Sequence, residues 1–477
     1  MNQIIETAPV LKLTVAEIQK ELLPELKKYH DIYSPLFQRR EQREESTKYL
    51  MGLLSPIPNK SVESMVLHFE GDNPAAVRAG QQFLGQGRWK DRPLLTRHWQ
   101  EVNQDLGEAN GVLIIDGSDF PKQGSDSVGV KRQMCGELGK VANCQAGVFL
   151  SYASCKGYTL LDRRLYLPKE WLEEDAYADQ RKACGIPTTT VFQTKPQLAA
   201  EMLLAVHQAG TLRYKYLTID AAFGRDTSFL DKISEAVIYF AEVDFDTYVW
   251  QTRPLTAIPK GSGRGRKPTQ LQLLEGEPLA QTVASLALAL PQSAWQRLIV
   301  KEGTKGPLTA DFASLRIVAS RKQLPGPDGW LVFRRSLDGT QTKYYLSNAP
   351  LDTTLLTFSW LSGMRWPTET CFEEGKQELG MGDYQVRSWA GWHHHMTLVI
   401  LAHFFLVRLK LTLKDKAPAL TLPQMALLLR SILPIPTFEP KLALEIVCYR
   451  QRCNHKAYLS HRKAKLLKLH ALFKVSL

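Results

Sequence analysis

Apolar and polar residues are patterned in three ways along this chain, and each pattern predicts a different kind of element. The stretch 1–107 reads as helical. Thr14, followed three residues later by Glu17, has the form of a capping box opening a helix to about Lys28, perturbed at Pro24. Asn73-Pro74 has the form of an N-cap and first helical position for AAVRAGQQFLGQ. At residue 111 the texture changes. Val112–Ile115 is an apolar run that predicts a strand ending at Asp116, and QAGVFLSYAS (145–154) and GYTLLDRRLYL (157–167) predict two more. A helix from about Gln197 to Gln208 follows, then YLTIDAAFGRD, a strand ending at Asp220. Three adjacent strands, a helix and another strand imply a mixed sheet in an α/β fold.

The third pattern runs from about 237 to 348. Short β-branched and aromatic runs (AVIYFAEV, TYVWQT, RLIVKE, SLRIVAS, GWLVFRRS, TKYYLSN) are separated by turn residues such as PGPDGW (325–330) and DGTQT (338–342). This predicts a β-rich insertion. The chain returns to helix near Asp352. The apolar run Met396–Val407 contains His403 and, at 12 residues, is too short to span a bilayer; it predicts a buried helix. The expected organisation is a helical region (1–107), an α/β core in two parts (108–236 and 351–411), a β-rich insertion between them (237–350), and a basic helical tail (412–477).

Composition changes this picture in one respect. Hydrophobic content of 44% and charged content of 23% are those of a globular protein, but 60 Lys and Arg face 48 Asp and Glu, a net charge of +12. From residue 446 onward there is no Asp or Glu, against eight basic residues, and a second basic cluster lies in KGSGRGRKP (260–268). Two such runs favour a nucleic-acid partner over a membrane. In the helical region Arg39, Arg40, Arg43, Arg88, Lys90, Arg92 and Arg97 surround Trp89 and Trp99, which suggests a helical DNA-binding surface. Seven scattered cysteines and an N-terminus without a signal peptide suit a reducing cytoplasm. Cys448 and Cys453 with His455 and His461, and the run His393-His394-His395, have only weak metal-site spacing.

The chemistry gathers around MRWPTETCFEEGKQELG (364–380). On a helix Glu369 and Lys376, seven apart, share a face, and Phe372 falls between them. Arg365 joins that stripe if the helix starts before Pro367, as a first turn tolerates. A plain amphipathic helix runs apolar residues down such a stripe; this one carries a carboxylate and cations. With Asp116 and Asp220 at strand ends, three carboxylates from separate segments are candidates to converge. Such a set binds Mg²⁺, a hard cation that prefers oxygen ligands, and two ions about 4 Å apart serve phosphodiester cleavage.

These residues resemble the DDE-type transposases of bacterial insertion sequences, whose signature is Tyr-x2-Arg-x3-Glu-x6-Lys. Arg365, Glu369 and Lys376 match it in identity and spacing. The stretches LIIDGSDFPKQGSDSVGVKRQMCGELGKVANCQAGV and LTIDAAFGRD are similar to the regions around that family's two Asp residues, and they resemble most narrowly the 701-type insertion-sequence group. The resemblance covers about residues 40–410. It implies an RNase H-like catalytic core interrupted by the β-rich insertion, with Asp116, Asp220 and Glu369 as catalytic metal ligands for two Mg²⁺ ions, Mn²⁺ being able to substitute. It implies that Arg365 and Lys376 contact DNA phosphates and that Trp366 stacks on a displaced base or packs. It also implies double-stranded DNA as partner (terminal inverted repeats and target), with a homodimer on paired ends. Arg264, Arg266 and Lys267 of the 260–268 cluster are expected to lie along that DNA. The sequence departs from the signature at its Tyr position, which is Ser362. Asp119, Glu373 and Glu374 are rival acids. A metal-dependent nuclease without strand transfer, and a non-catalytic transposase-derived DNA-binding protein, are the alternative functions.

Overall fold

The computed structural model describes residues 11–259, 269–303, 306–434 and 436–474. The chain opens with α1 (Val15–Tyr33), α2 (Arg40–Leu54), α3 (Val62–Glu70), α4 (Pro74–Gly85) and α5 (Asp91–Leu106). Strands β1 (Val112–Pro121), β2 (Lys131–Cys135), β3 (Lys140–Ser154) and β4 (Gly157–Tyr166) follow. Short helices α6 (Lys169–Glu173) and α7 (Ala178–Ala183) lead to α8 (Lys195–Ala209), β5 (Tyr216–Ile219), α9 (Ala221–Gly224), α10 (Thr227–Ile233) and β6 (Ile238–Val243). Next come β7 (Tyr248–Trp250), β8 (Thr256–Ala257), β9 (Gln272–Leu273), β10 (Gln281–Thr282) and α11 (Val283–Ala289). Then β11 (Gln296–Gly303), β12 (Gly306–Arg321), β13 (Leu324–Arg335) and β14 (Thr342–Ser347) precede α12 (Leu355–Gly363) and α13 (Trp366–Leu379). The last helices are α14 (Trp389–Thr412), α15 (Leu422–Arg430) and α16 (Pro440–Lys474).

Twelve strands join in one mixed sheet, in the order β10-β7-β12-β13-β14-β6-β5-β1-β3-β2, with β11 added to β12 and β4 to β3. Its centre is parallel: β1 pairs with β5 and β5 with β6. The antiparallel pair β14–β6 carries the sheet onward into β13 and β12, so the β-rich stretch beyond 237 continues the central sheet. The Thr14–Glu17 capping box is present, and α1 runs on to Tyr33 with Pro24 inside it.

Two expectations about strand limits need correction. β1 does not end at Asp116; it continues to Pro121 because the long β3 pairs with it over its whole length, from Val112↔Ala153 to Pro121↔Cys144. PGPDGW is not a turn. The turn lies earlier, at Lys322 and Gln323, whose φ values of 52° and 64° make a two-residue hairpin between Arg321 and Leu324. Pro325 and Pro327 are tolerated because β13 has only β12 beside it there, β14 joining from Trp330 onward.

The core is organised around α14, whose residues from Gly391 to Val407 are all buried. Helices α1, α2, α4, α5, α13 and α15 and strand β4 all pack on it. By length and composition α14 could cross a membrane, but 78% of its apolar window is buried within the protein. Its histidines meet specific partners. His394 reaches the carbonyls of Leu84 and Trp89, His395 the Tyr49 hydroxyl, and His403 the Glu374 carboxylate. Trp89 and Trp99, expected on a basic surface, are instead core residues. Their indole N–H groups donate to Phe83 O and Leu161 O, and Trp89 stacks on His394 at 3.6 Å.

Candidate active site

The register of the central strands places the first two carboxylates. The last parallel pair of β1 and β5 is Ile115↔Ile219, so the next residue on each strand is an aspartate, Asp116 and Asp220. The chain leaves the sheet differently at each. β1 continues along β3, whereas Asp220 caps α9, its Oδ1 accepting from Ala222 N at 3.0 Å and Phe223 N at 3.3 Å. Asp116 Oδ1 accepts from Gly117 N at 2.7 Å. Each aspartate thus holds one oxygen on local backbone and leaves Oδ2 for the site.

The third carboxylate comes from α13. Arg365 precedes its first turn, Pro367 sits inside that turn without costing a hydrogen bond, and Gly380, at φ 65°, ends it. Thr368, Cys371, Phe372, Gly375 and Leu379 form the buried face. Thr368 hydrogen-bonds Ser151 of β3, and Phe372 packs edge-on against Phe149 of the same strand at 5.3 Å. Because β3 is also the strand beside β1, this docking sets Glu369 against Asp116.

Arg365 joins the three. Its Nη1 lies 3.7 Å from Asp116 Oδ2 and 3.9 Å from Asp220 Oδ2, and its Nη2 donates to Glu369 Oε1 at 2.9 Å. Burial pushes the Asp116 carboxyl up to about 7, the neighbouring Asp220 charge adds to this, and Arg365 opposes it. Asp220 is raised by burial as well, again against the pull of Arg365. These are carboxylates short of positive charge. Three oxygen-donor groups without sulfur or imidazole fit a hard divalent cation. Among the described residues no three such side chains are set closely enough to hold an ion as they stand; the guanidinium of Arg365 lies among them.

The rival acids are accounted for. Glu374 turns into the core, accepting from Tyr158 Oη at 2.9 Å and bonded to His403 at 3.0 Å. Glu373 is exposed and pairs with Gln377, while Asp119 accepts from Gly136 N. Lys376 ion-pairs with Glu137. Trp366 is 57% exposed, with Lys301 Nζ 4.1 Å above its ring. Ser362, at the signature Tyr position, bonds to Ser359 O. Arg264, Arg266 and Lys267 fall in 260–268, outside the described residues.

Glu369 borders two clefts. One, of 410 Å³, contains Asp116, Asp119, Glu137 and Glu373, with Lys376 as the cation. The other, of 890 Å³, runs beneath β11 and β12 and contains Lys301, Arg334, Lys343 and Arg365, with Glu242 and Glu302. Lys301 and Arg334 are functional candidates that the sequence did not single out. They carry no motif, and only the sheet brings them beside α13.

Comparison with known proteins gives three findings. Residues 33–307 match the family model of the DDE superfamily endonucleases, a span holding Asp116 and Asp220 and ending before Glu369. A probable transposase for insertion sequence element IS701 from Microchaete diplosiphon is 26% identical over 208 residues, 43% of this chain. The match spans 50% of that relative's length. Among solved structures, the chain is similar to a piggyBac transposase synaptic complex with hairpin DNA, at a TM-score of 0.39 and 10% identity over 91% of this chain and 84% of that one.

Proposed function

The chain belongs to the DDE superfamily endonucleases, and from that premise we propose that it is an insertion-sequence transposase. It binds the terminal inverted repeats of its element as a dimer on paired ends, cleaves there, and joins the freed 3′-hydroxyls to target DNA. The observation that carries this reading is the convergence of Asp116, Asp220 and Glu369, from three separate segments, around Arg365. The parallel strands β1, β5 and β6 with antiparallel β3 and β4 form the RNase H-like part of the sheet in this account.

The three carboxylates would hold two Mg²⁺ ions, or Mn²⁺ in their place, which when bound activate the attacking oxygen and stabilise the leaving one. The protein's own part is positional. Backbone amides at Gly117, Ala222 and Phe223 fix the two aspartates with Oδ2 directed inward. Arg365 balances the carboxylates and offers donors to a phosphate oxygen. The exposed indole of Trp366 offers a face to a base.

The test is to incubate the protein with Mg²⁺, a linear DNA carrying its own coding sequence with natural flanks, and a target plasmid. Cuts at both flanks, with the new 3′ ends joined to the plasmid, are expected. Cuts without joined products would reduce the activity to that of an endonuclease, and intact DNA would refute the reading.

A further inference from the structure

The cleft on the far side of Glu369 from the acidic one has features that the carboxylate chemistry does not use. β11 carries a bulge: Ile299 faces Thr309, but Lys301 faces Leu308, so Val300 is inserted without a partner. A bulge re-aims side chains, and here Val300 is buried while it and Lys301 both line the cleft. Val300 lies against Gly363, where an added Cβ would stand 3.0 Å from its Cγ1 and its carbonyl oxygen. Ser359 Oγ donates to Ile299 O at 2.9 Å. β11 is thereby fastened to α12 next to Arg365, and Lys301 is brought over the Trp366 indole.

Arg334, on β13, enters the same cleft and donates to Ser362 O at 3.5 Å. Lys343 is committed to Glu242 and Arg365 to the carboxylates. Among the described residues, Lys301 and Arg334 have no carboxylate within 4.0 Å. Thr218, also on the cleft wall and 2% exposed, has an Oγ1 without a hydrogen-bond partner among the described residues, which a buried hydroxyl seldom lacks. The two clefts meeting at Glu369 therefore differ in kind. The acidic one repels phosphate and suits cations; the other, though Glu242 and Glu302 are on its wall, presents two cations without a carboxylate partner and an aromatic face. Its 890 Å³ is room for a few nucleotides of one strand.

From this polarity we infer that Lys301 and Arg334 form a subsite for phosphodiesters of a single DNA strand leaving the cut position, in the cleft between the β11–β12 hairpin and α13. The inference rests on the transposase reading and adds the direction of the strand: it passes from the carboxylates toward β11, away from Glu137. Lys301 also holds the indole in place, so a phosphate and a stacked base are taken together.

The experiment measures binding, without metal, of a 5′-labelled blunt duplex and of the same duplex with a single-stranded 3′ tail, over a series of salt concentrations. The duplex sequence is the natural flank of the coding gene. For Lys301→Gln with Arg334→Gln, the salt slope on the tailed duplex should fall by roughly 1.4, two single-strand contacts, while the blunt-duplex slope is unchanged. Lys301→Gln alone should lose half of this, and an unaltered unfolding midpoint shows that the fold persists. Lys182→Gln on α7, the loss of one charge outside both the cleft and the N-terminal helices, should leave both slopes as they are. Equal loss on both duplexes, or none on the tailed one, overturns the subsite. If the wild-type protein cuts its flanks with Mg²⁺ while the double variant binds the tail normally, the inference falls and the transposase reading stands. If the wild-type protein binds neither duplex, both fall.

Discussion

Arg365 illustrates how much a single position decides. One guanidinium within 3.9 Å of three carboxylates offsets their repulsion where α13 meets the sheet, and burial still leaves the Asp116 carboxyl at about 7. Asp116, Asp220 and Glu369 were legible because each follows a local pattern: an apolar run broken by an acid, or a helix stripe with charge where apolar residues belong. Lys301 and Arg334 were not, since a lysine in a β-rich stretch looks like any other until a bulge turns it. Trp89 and Trp99 misled because indoles between arginines have the composition of a nucleic-acid surface, whereas their N–H groups are anchored on buried carbonyls. Trp366 is the opposite case, and its exposure separates packing from function. Trp366→Ala should change the free energy of unfolding, measured by urea titration, by less than about 1 kcal/mol, as for an exposed side chain. The same variant should bind the tailed duplex several-fold more weakly. A large loss of stability would assign the indole to packing instead.

At the scale of the element, α14 is the helix on which both halves of the fold meet. Its burial was legible from the run Met396–Val407, but its length was not, because Trp389–His395 looks polar and is nevertheless buried on hydrogen-bonded imidazoles. Burial lowers His393 to about 3, with Arg163 adding to it, and lowers His395 to about 3; His394 is lowered by burial too. In the unfolded chain these imidazoles titrate near 6.5. Their stabilising effect is complete above that value and is lost as pH falls toward the folded values, because the unfolded chain binds more protons there. Asp116 and Asp220, both raised by burial, work against this and gain stability as pH falls, while His98, lowered to about 4 by burial, adds to the imidazoles. The unfolding free energy from urea titration should therefore fall steadily between pH 6.5 and 4.5, by an amount of order 1.4 kcal/mol per unit of pH for each of His393 and His395. A flat or rising midpoint over that interval would contradict the buried neutral state of α14.

For the molecule as a whole, the sequence order of strands and helices anticipated an α/β core with helical ends, and the β-rich stretch was recognised by its runs. Its attachment was not visible. β14 pairs with β6 across more than a hundred residues of chain, a pairing that periodicity does not encode, and β6 in turn pairs with β5. That continuity brings Lys301 and Arg334 into the cleft that Glu369 borders. The central claim remains the site itself. It is tested most directly by measuring Mg²⁺-dependent cleavage of the natural flanks by Asp116→Asn, Asp220→Asn, Glu369→Gln and Glu373→Gln, alongside DNA binding without metal. The first three remove ligand charge with little change of shape, and each should lose cleavage by several orders of magnitude while binding persists. Glu373→Gln, exposed and paired with Gln377, should cut nearly as the wild type does. Cleavage by all four, or an active Glu369→Gln beside an inactive Glu373→Gln, would contradict the account.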